Sequence, residues 1–475
     1  MNGRPVTLRG RIDKNHEGRD VEASLTPYPA RERFFRHMGR RWIAAMLVVY
    51  GLGLSAWVAV RLDAALPADA SMMGTRKDGV QHALRTLQDG GPPLLACAGG
   101  YARETARTTC KPAGWTDDQG LYLYLPYFAH WMGISDPSRA MKMLFVGSFS
   151  ALIALYPLIW WGVFDSLLAG GVLPLALVFK WAFVVNPDIY WVGAWYLLLG
   201  LPLLFLIHHR WRARSPLALV GVVVVGSLAS SIRSHAGLPI FLGAVVILIL
   251  RRSSWGRTLS WAATLVVAYL CVHPVGFQAV RMYRDHVVGD PSWSARFPAR
   301  HPVWHSMYIG LSHLPNRYGI VWDDSFAVTT VARLNPRAAY VSAEYERTLR
   351  DEYFRIARED PWFVIGNLTS KSKATAEAAA TRFGGLLLLI PVALLAGSAK
   401  RTMRRYVLVV AVGLPIEAAA PLLTLPILEY QMSWVAAWAV LWLLAGGWLL
   451  TTVPGDIRRR LETVQIPIPE PRTPS

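Results

Sequence analysis

Residues 42–62 read WIAAMLVVYGLGLSAWVAVRL, a run whose only charge is Arg61, next to its end. A helix rises 1.5 Å per residue, so about 20 mostly apolar residues cross the hydrocarbon core of a bilayer. Arg31, Arg33, Arg36, Arg40 and Arg41 precede the run. Such a basic flank holds its end of a span on the cytoplasmic side. A secretory signal can open in a similar way, and Ala68 and Ala70 imitate a cleavage site. The basic leader is too long for one, however, and the apolar run exceeds the ~7–15 residues of a signal core. Residues 42–62 therefore read as a membrane span.

Further segments of the same character lie at 143–162, 167–185, 190–207, 216–232, 237–250, 258–275, 383–399, 405–425 and 432–452. The shortest, 237–250, crosses only with little tilt or with interfacial flanks. The whole chain is 53% hydrophobic and 17% charged, a balance that polytopic membrane proteins have and soluble domains lack. The expected fold is an all-α polytopic membrane protein of about ten transmembrane helices. Residues 1–41 would be a basic cytoplasmic leader, 42–452 the transmembrane bundle and 453–475 a cytoplasmic tail. The leader and the Pro-rich end have the composition of disordered termini.

The basic residues orient the spans. Arg210, Arg212 and Arg214 follow the fourth, Arg251, Arg252 and Arg257 the sixth, and Lys400, Arg401, Arg404 and Arg405 the eighth. Arg458, Arg459 and Arg460 follow the last. A cytoplasmic N-terminus puts every cluster inside, with both termini in the cytoplasm, as in a multi-pass protein of a bacterial inner (plasma) membrane. The net charge of +18 is then explained by topology and anionic lipid, with no nucleic-acid partner required. Two large loops, 63–142 and 276–382, fall outside and are expected to contain interfacial helices. Cys97 and Cys110 lie in the first. In an oxidising compartment they would close a short loop as a disulfide, stabilising the fold by about 3 kcal/mol. Cys271 falls within a span and reads as packing.

In the first loop, TDDQGLYLYLPYFAHW at 116–131 sets two acids before an aromatic amphipathic run. Thr116 with Gln119 fits a capping box, and Asp117 and Asp118 in a first helical turn suit the helix dipole. Leu121, Leu125, Phe128 and Met132 would share one face of an interfacial helix, kinked at Pro126. Capping alone can account for the acids. The same carboxylates at a membrane surface could also act as general base on a hydroxyl, or hold a divalent cation such as Mg2+ or Mn2+.

Other ionisable residues gather at the same depth: Lys180, Asp188, Arg233, His235, His273 and Glu429, with Glu417 inside the ninth span. Charge at such depth is costly unless it is used. Each taken alone also fits snorkelling or packing. The second loop offers His301, His305, His313, Arg317, Asp323 and Asp324, in no compact zinc spacing. Tyr345, Leu349, Tyr353 and Ile356 there share the apolar face of a helix that reads as scaffold. GxSxG, Walker A and GxGxxG signatures are all missing from the sequence.

The layout resembles the GT-C class of integral membrane glycosyltransferases. Asp117-Asp118 in WTDDQGLYLYLPYFAHW matches that class's acidic pair in type and position, and IRSHAGLP is similar to its Arg-containing motif. LPILEYQMSW resembles its late loop, although Gln431 stands where a basic residue is common. The long loop at 276–382 also departs from the class and is more typical of O-antigen polymerases and ligases. The resemblance implies a polyprenyl-phosphate sugar donor and a lipid or glycan acceptor in the bilayer. Asp117 or Asp118 would deprotonate the acceptor. Arg233, with Lys180 and His235, would stabilise the lipid phosphate. Tyr122, Tyr124, Asp188, Trp191 and Glu429 would contact substrate. No nucleotide cofactor is needed. A polymerase or ligase would instead place its chemistry around His301, His305 and Arg317. A non-enzymatic transporter or envelope assembly protein would use Lys180 and Glu417 as an ion path, without the internal symmetry common in transporters. The orientation has a direct test. Reporters fused after Thr330 and after Ala399 should give opposite readouts, and matching readouts would overturn it.

Overall fold

The computed structural model describes residues 30–66, 76–114, 119–181, 191–233, 236–251, 254–291, 293, 302–383 and 401–463. The chain forms two units, 1–46 and 47–475. The first contributes the opening of helix α1 (Ala30–Ala65) to the described structure, and the rest of this account concerns the second. About 81% of the structure is helical, as required where no water is available to satisfy an open backbone. Among the described residues, six helical segments are long and apolar enough to cross a membrane: Gly39–Ala65, Pro137–Phe164, Ser215–Ile232, Trp255–Val288, Arg401–Leu423 and Tyr430–Thr452. Leu167–Phe179, Gly193–His209 and Leu238–Leu250 are apolar but shorter. Of the expected spans, 383–399 lies beyond the described residues save Phe383. The protein is an all-α, membrane-embedded bundle.

The bundle is built from α5 (Pro137–Phe164), α6 (Leu167–Trp181), α7 (Trp191–His209), α8 (Ser215–Ile232), α9 (Leu238–Leu250) and α10 (Trp255–Leu270). Small residues let its backbones approach closely. At Gly51 a Cβ would stand 2.4 Å from the Ala154 carbonyl oxygen of α5, so only glycine permits the contact. Lys142 of α5 pairs with Asp63 at 3.0 Å and also donates to the Leu66 carbonyl, fixing the end of α1.

Three segments differ from the sequence reading. The helix at 258–275 does not stop there. It passes through a π-helical turn, Cys271–Val275, into α11 (Gly276–Val288). Pro274 has no N–H to donate and crowds the preceding turn, and the wider i→i+5 spacing accommodates it. The ninth segment is broken instead of continuous. Arg401–Ala411 (here α16) ends at a turn before Leu414–Leu423 (α17), whose Pro415 occupies the first helical turn. The last helix, α18, runs from Leu428 to Thr463, beyond the end expected at 452. Cys271 is exposed on the bundle surface and does not serve as packing.

The first long loop holds α2 (Lys77–Gln88), α3 (Ala106–Thr109), α4 (Gln119–Trp131) and an antiparallel hairpin of β1 (Leu95–Cys97) and β2 (Cys110–Pro112). Cys97 faces Cys110 in the ladder, and a disulfide joins them with Cα atoms 4.3 Å apart. The hairpin is fastened to the chain around α11. Arg284 donates to the Leu94 carbonyl at 3.2 Å, Arg107 pairs with Asp290 at 3.1 Å, and Trp293 Nε1 donates to the Arg107 carbonyl.

The second long loop packs α12 (Val303–Ile309), α13 (Asp324–Leu334), α14 (Ala343–Glu359) and α15 (Pro361–Phe383) around its own core of Tyr308, Val331, Tyr345, Leu349 and Ile356. Ser342 caps α14 by accepting from the Tyr345 amide. Trp434 donates to the Thr375 carbonyl and Gln431 to those of Ala374 and Pro426, which seats α15 on the start of α18.

Arg284 and Asp285 form a buried ion pair at 2.9 Å, with side chains 3% and 5% exposed. Removing one member takes from the other its partner in a buried pair, at a typical cost of about 3–5 kcal/mol. Arg284→Met should therefore lower the thermal unfolding midpoint of the detergent-solubilised protein sharply. Arg284→Met combined with Asp285→Leu should recover the part of the loss due to the unbalanced charge, but not the part due to the lost bond to Leu94.

Candidate functional site

The start of α4 lies directly against the end of α8. A Cβ at Gly120 would fall 2.4 Å from Ser231 Oγ and 2.8 Å from the Ile232 amide nitrogen, so the approach excludes any side chain there. One helical turn on, Ser231 Oγ and the Tyr124 hydroxyl hydrogen-bond at 2.9 Å. Pro126 sits inside α4 without ending it. Towards its end α4 exposes Tyr127 and Trp131, and Met132 follows it outward, an aromatic edge of the kind found at membrane–water interfaces.

Beneath this junction is a cavity of about 390 Å³ walled by α4, α5, α7 and α8. Leu121, Tyr124, Trp191, Trp195, Leu228 and Ile232 are among its lining, which is almost wholly apolar. Phe145, Trp191 and Trp195 pack ring against ring, with centroids 4.5–5.2 Å apart. The indole Nε1 atoms of Trp191 and Trp195 are buried and make no hydrogen bond.

Arg233 follows α8 immediately and is 5% exposed. It lines a second cavity of about 250 Å³, together with Val303, Ser306, Thr424 and Tyr430 from the second long loop and the end of the bundle. Tyr124 and Trp191, expected to touch substrate, both line the first cavity. Tyr122 does not join them. Its ring packs against Gly79 of α2, because successive helical positions face different ways. Asp117, Asp118, Asp188, His235 and His301 lie outside the described residues, as do the side chains of Lys180 and Glu429. The described neighbours of the acids are Gln119 and Gly120, at the junction itself, and Tyr430 beside Glu429 reaches the Arg233 cavity. No group of three or more His, Cys, Asp or Glu that could hold a metal occurs among the described residues, and the expected ligands Asp117 and Asp118 are not among these.

Sequence reasoning missed Arg281. Its Nε donates to Gln119 Oε1 at 3.2 Å, and Nη2 donates to the same oxygen. It shares a face of α10–α11 with Phe277, whose ring meets Tyr124 edge-on at 6.1 Å, and with His273, whose ring lies 6.0 Å from Phe277. The i, i+4, i+8 spacing of His273, Phe277 and Arg281 was visible in the sequence. It lay across the boundary drawn at 275 between span and loop.

Of the residues named for other chemistries, His305, Arg317 and Glu417 are among the described ones, and each has its own surroundings. His305 is buried, with Nε2 3.0 Å from Asp324 Oδ1 and Nδ1 2.7 Å from the Tyr345 hydroxyl. A carboxylate can only accept, so Nε2 carries the proton and Nδ1 accepts from Tyr345. Both nitrogens are thus committed to the fold, and the bond from His305 holds the Asp324 carboxyl below the usual range. Arg317 is exposed, stacked over Tyr318 and 3.5 Å from Asp360. Glu417 is buried in α17 beside Ser433 of α18, and it lines neither cavity described above. The chain matches no family model, no curated protein and no solved structure.

Lys371 of α15 is 3% exposed, and burial pushes its ammonium down to about 8. The folded state thus binds the proton less tightly than the unfolded chain, whose lysines titrate near 10.4. Stability should rise as pH climbs from about 8 towards about 10.4, the window in which only the unfolded chain still holds the proton. Unfolding midpoints across that range should show wild type gaining on Lys371→Met. A constant difference would reject the assignment.

Proposed function

We propose that the protein is a membrane glycosyltransferase that moves a sugar from a polyprenyl-phosphate donor to a lipid or glycan hydroxyl. The reaction is placed on the extracytoplasmic face of a bacterial inner membrane, with both termini in the cytoplasm. The observation that carries this reading is the apolar cavity whose rim forms where α4 begins and α8 ends. Its leucines and aromatics suit an isoprenoid tail. In sequence the acids immediately precede α4, and Arg233 immediately follows α8. A donor with its tail in this cavity would carry its phosphate to the rim.

In the proposed reaction the acceptor oxygen bonds to the anomeric carbon of the donor sugar. The bond from that carbon to the phosphate oxygen breaks, and its electron pair leaves with the lipid phosphate. The hydroxyl proton passes to Asp117 or Asp118, with or without a divalent cation between the acids. Arg233 compensates the charge that grows on the departing phosphate, for which a guanidinium has the matching geometry. The Arg233 cavity, reached from the second long loop, would admit the acceptor.

Asp117→Asn and Asp118→Asn test the chemistry, because an amide cannot take the proton. The variant of whichever residue is the base should lose about 10²–10⁴-fold in transfer, read by glycan or glycolipid profiling at matched protein level. Arg233→Ala should cripple the same step. If the acids serve only as helix caps, both amide variants will lose a little stability and keep their profiles, and the reading falls.

A further inference from the structure

Three arginines stand close together around the first long loop and α11, and they differ in what balances their charge. Arg284 has Asp285 at 2.9 Å, and Arg107 has Asp290 at 3.1 Å. Arg281 has no carboxylate within ion-pair distance among the described residues. Its hydrogen-bond acceptors are two neutral amides, Gln119 Oε1 and Gln278 Oε1, the second at a long 3.5 Å. Asp285, one turn on, attracts this guanidinium but is already paired with Arg284, so the charge of Arg281 is only partly offset and the place suits a mobile anion.

The geometry of those bonds narrows the choice. Nε and Nη2 form one edge of the guanidinium, and Gln119 occupies that edge. The Nη1–Nη2 edge, able to grip two oxygens of a phosphate at once, meets only the long contact to Gln278. Gln119 lies two residues before Leu121 of the apolar cavity, and Phe277, one turn from Arg281, touches the cavity's Tyr124. Arg281 therefore stands at the cavity rim, beside the positive end of the α4 dipole. His273 on the same face has a buried Nδ1 with no hydrogen bond, which adds a polar atom on that side.

We propose that Arg281, oriented by Gln119, is the headgroup anchor of this cavity, selecting a phosphate-terminated isoprenoid over the free alcohol. The assignment rests on the transferase reading for the identity of the tail. It adds a residue that reading does not use, acting on binding before transfer.

The test uses the full-length protein in detergent and three probes: farnesyl monophosphate, farnesol and inorganic phosphate. Wild type should bind the phosphate ester about 10–100-fold more tightly than the alcohol, the usual worth of a hydrogen bond to a charged group. Arg281→Gln should bring the two to within about twofold, while Arg281→Lys should keep part of the preference and guard against a folding artefact. Leu228→Trp, which fills the cavity, should weaken both farnesyl probes equally. Arg350→Gln, exposed on α14, should change nothing. A preference that survives Arg281→Gln, or one missing from wild type, overturns the proposal whether or not the protein transfers sugar. Inorganic phosphate binding as tightly as the ester would mark a free-phosphate site and overturn the lipid assignment. A preference lost in Arg281→Gln, in a protein that transfers no sugar, would uphold the anchor and remove the transferase reading.

Discussion

The approach of α4 to α8 at Gly120 is the contact on which the outer architecture depends. With no side chain at that position, the α4 backbone comes down onto Ser231 and Ile232. Everything placed near the cavity follows from that closeness. Tyr124 reaches Ser231, its ring meets Phe277, and Gln119 meets Arg281. A methyl group at 120 would push the helix off its seat and break these contacts together, because they share one rigid element. Sterics at a single residue therefore carry information from the first long loop into the bundle and across to α11.

The membrane bundle was legible because hydropathy over about 20 residues is a strong signal that needs no knowledge of neighbours. The residues flanking the cavity were only partly legible. Tyr124 and Trp191 could be named from their position beside an amphipathic helix and at the end of a span, and both line the cavity. Tyr122 lies against Gly79 of α2 instead, since positions two apart on a helix point in nearly opposite directions. Arg281 lies beyond 275, where the expected span ended, whereas a π turn lets the helix continue past it. The break between α16 and α17 was hidden because its residues are as apolar as those of an unbroken span. The hairpin around Cys97 and Cys110 was not read because each strand has only three residues, too few to show alternation.

The second long loop presents its chemistry-bearing residues as architecture. His305 joins α12 to both α13 and α14 through Asp324 and Tyr345, while Glu346 accepts from the amides of Trp304 and His305. Such a network is worth its desolvation only when every member is satisfied, and here both ring nitrogens are. What this loop offers the cavities comes from its edges: Val303 and Ser306 beside Arg233, reached from a core that stays closed. Its role in the proposed transfer is to shape an entrance.

The bond from Arg284 to the Leu94 carbonyl joins residues 190 positions apart. A ribosome adding about 5–20 residues per second needs roughly 10–40 s to cover that distance. During that interval the first long loop exists without its anchor, while the Cys97–Cys110 bridge, only 13 residues in span, can already close. The hairpin is thus a local fold that can form early and wait, and α11 is the latch that arrives late. Assembly of the rim is deferred until α11 has been made, after α4, α5, α7 and α8. A chain arrested before residue 284 would carry the cavity walls of α4, α5, α7 and α8 but leave its loop unlatched.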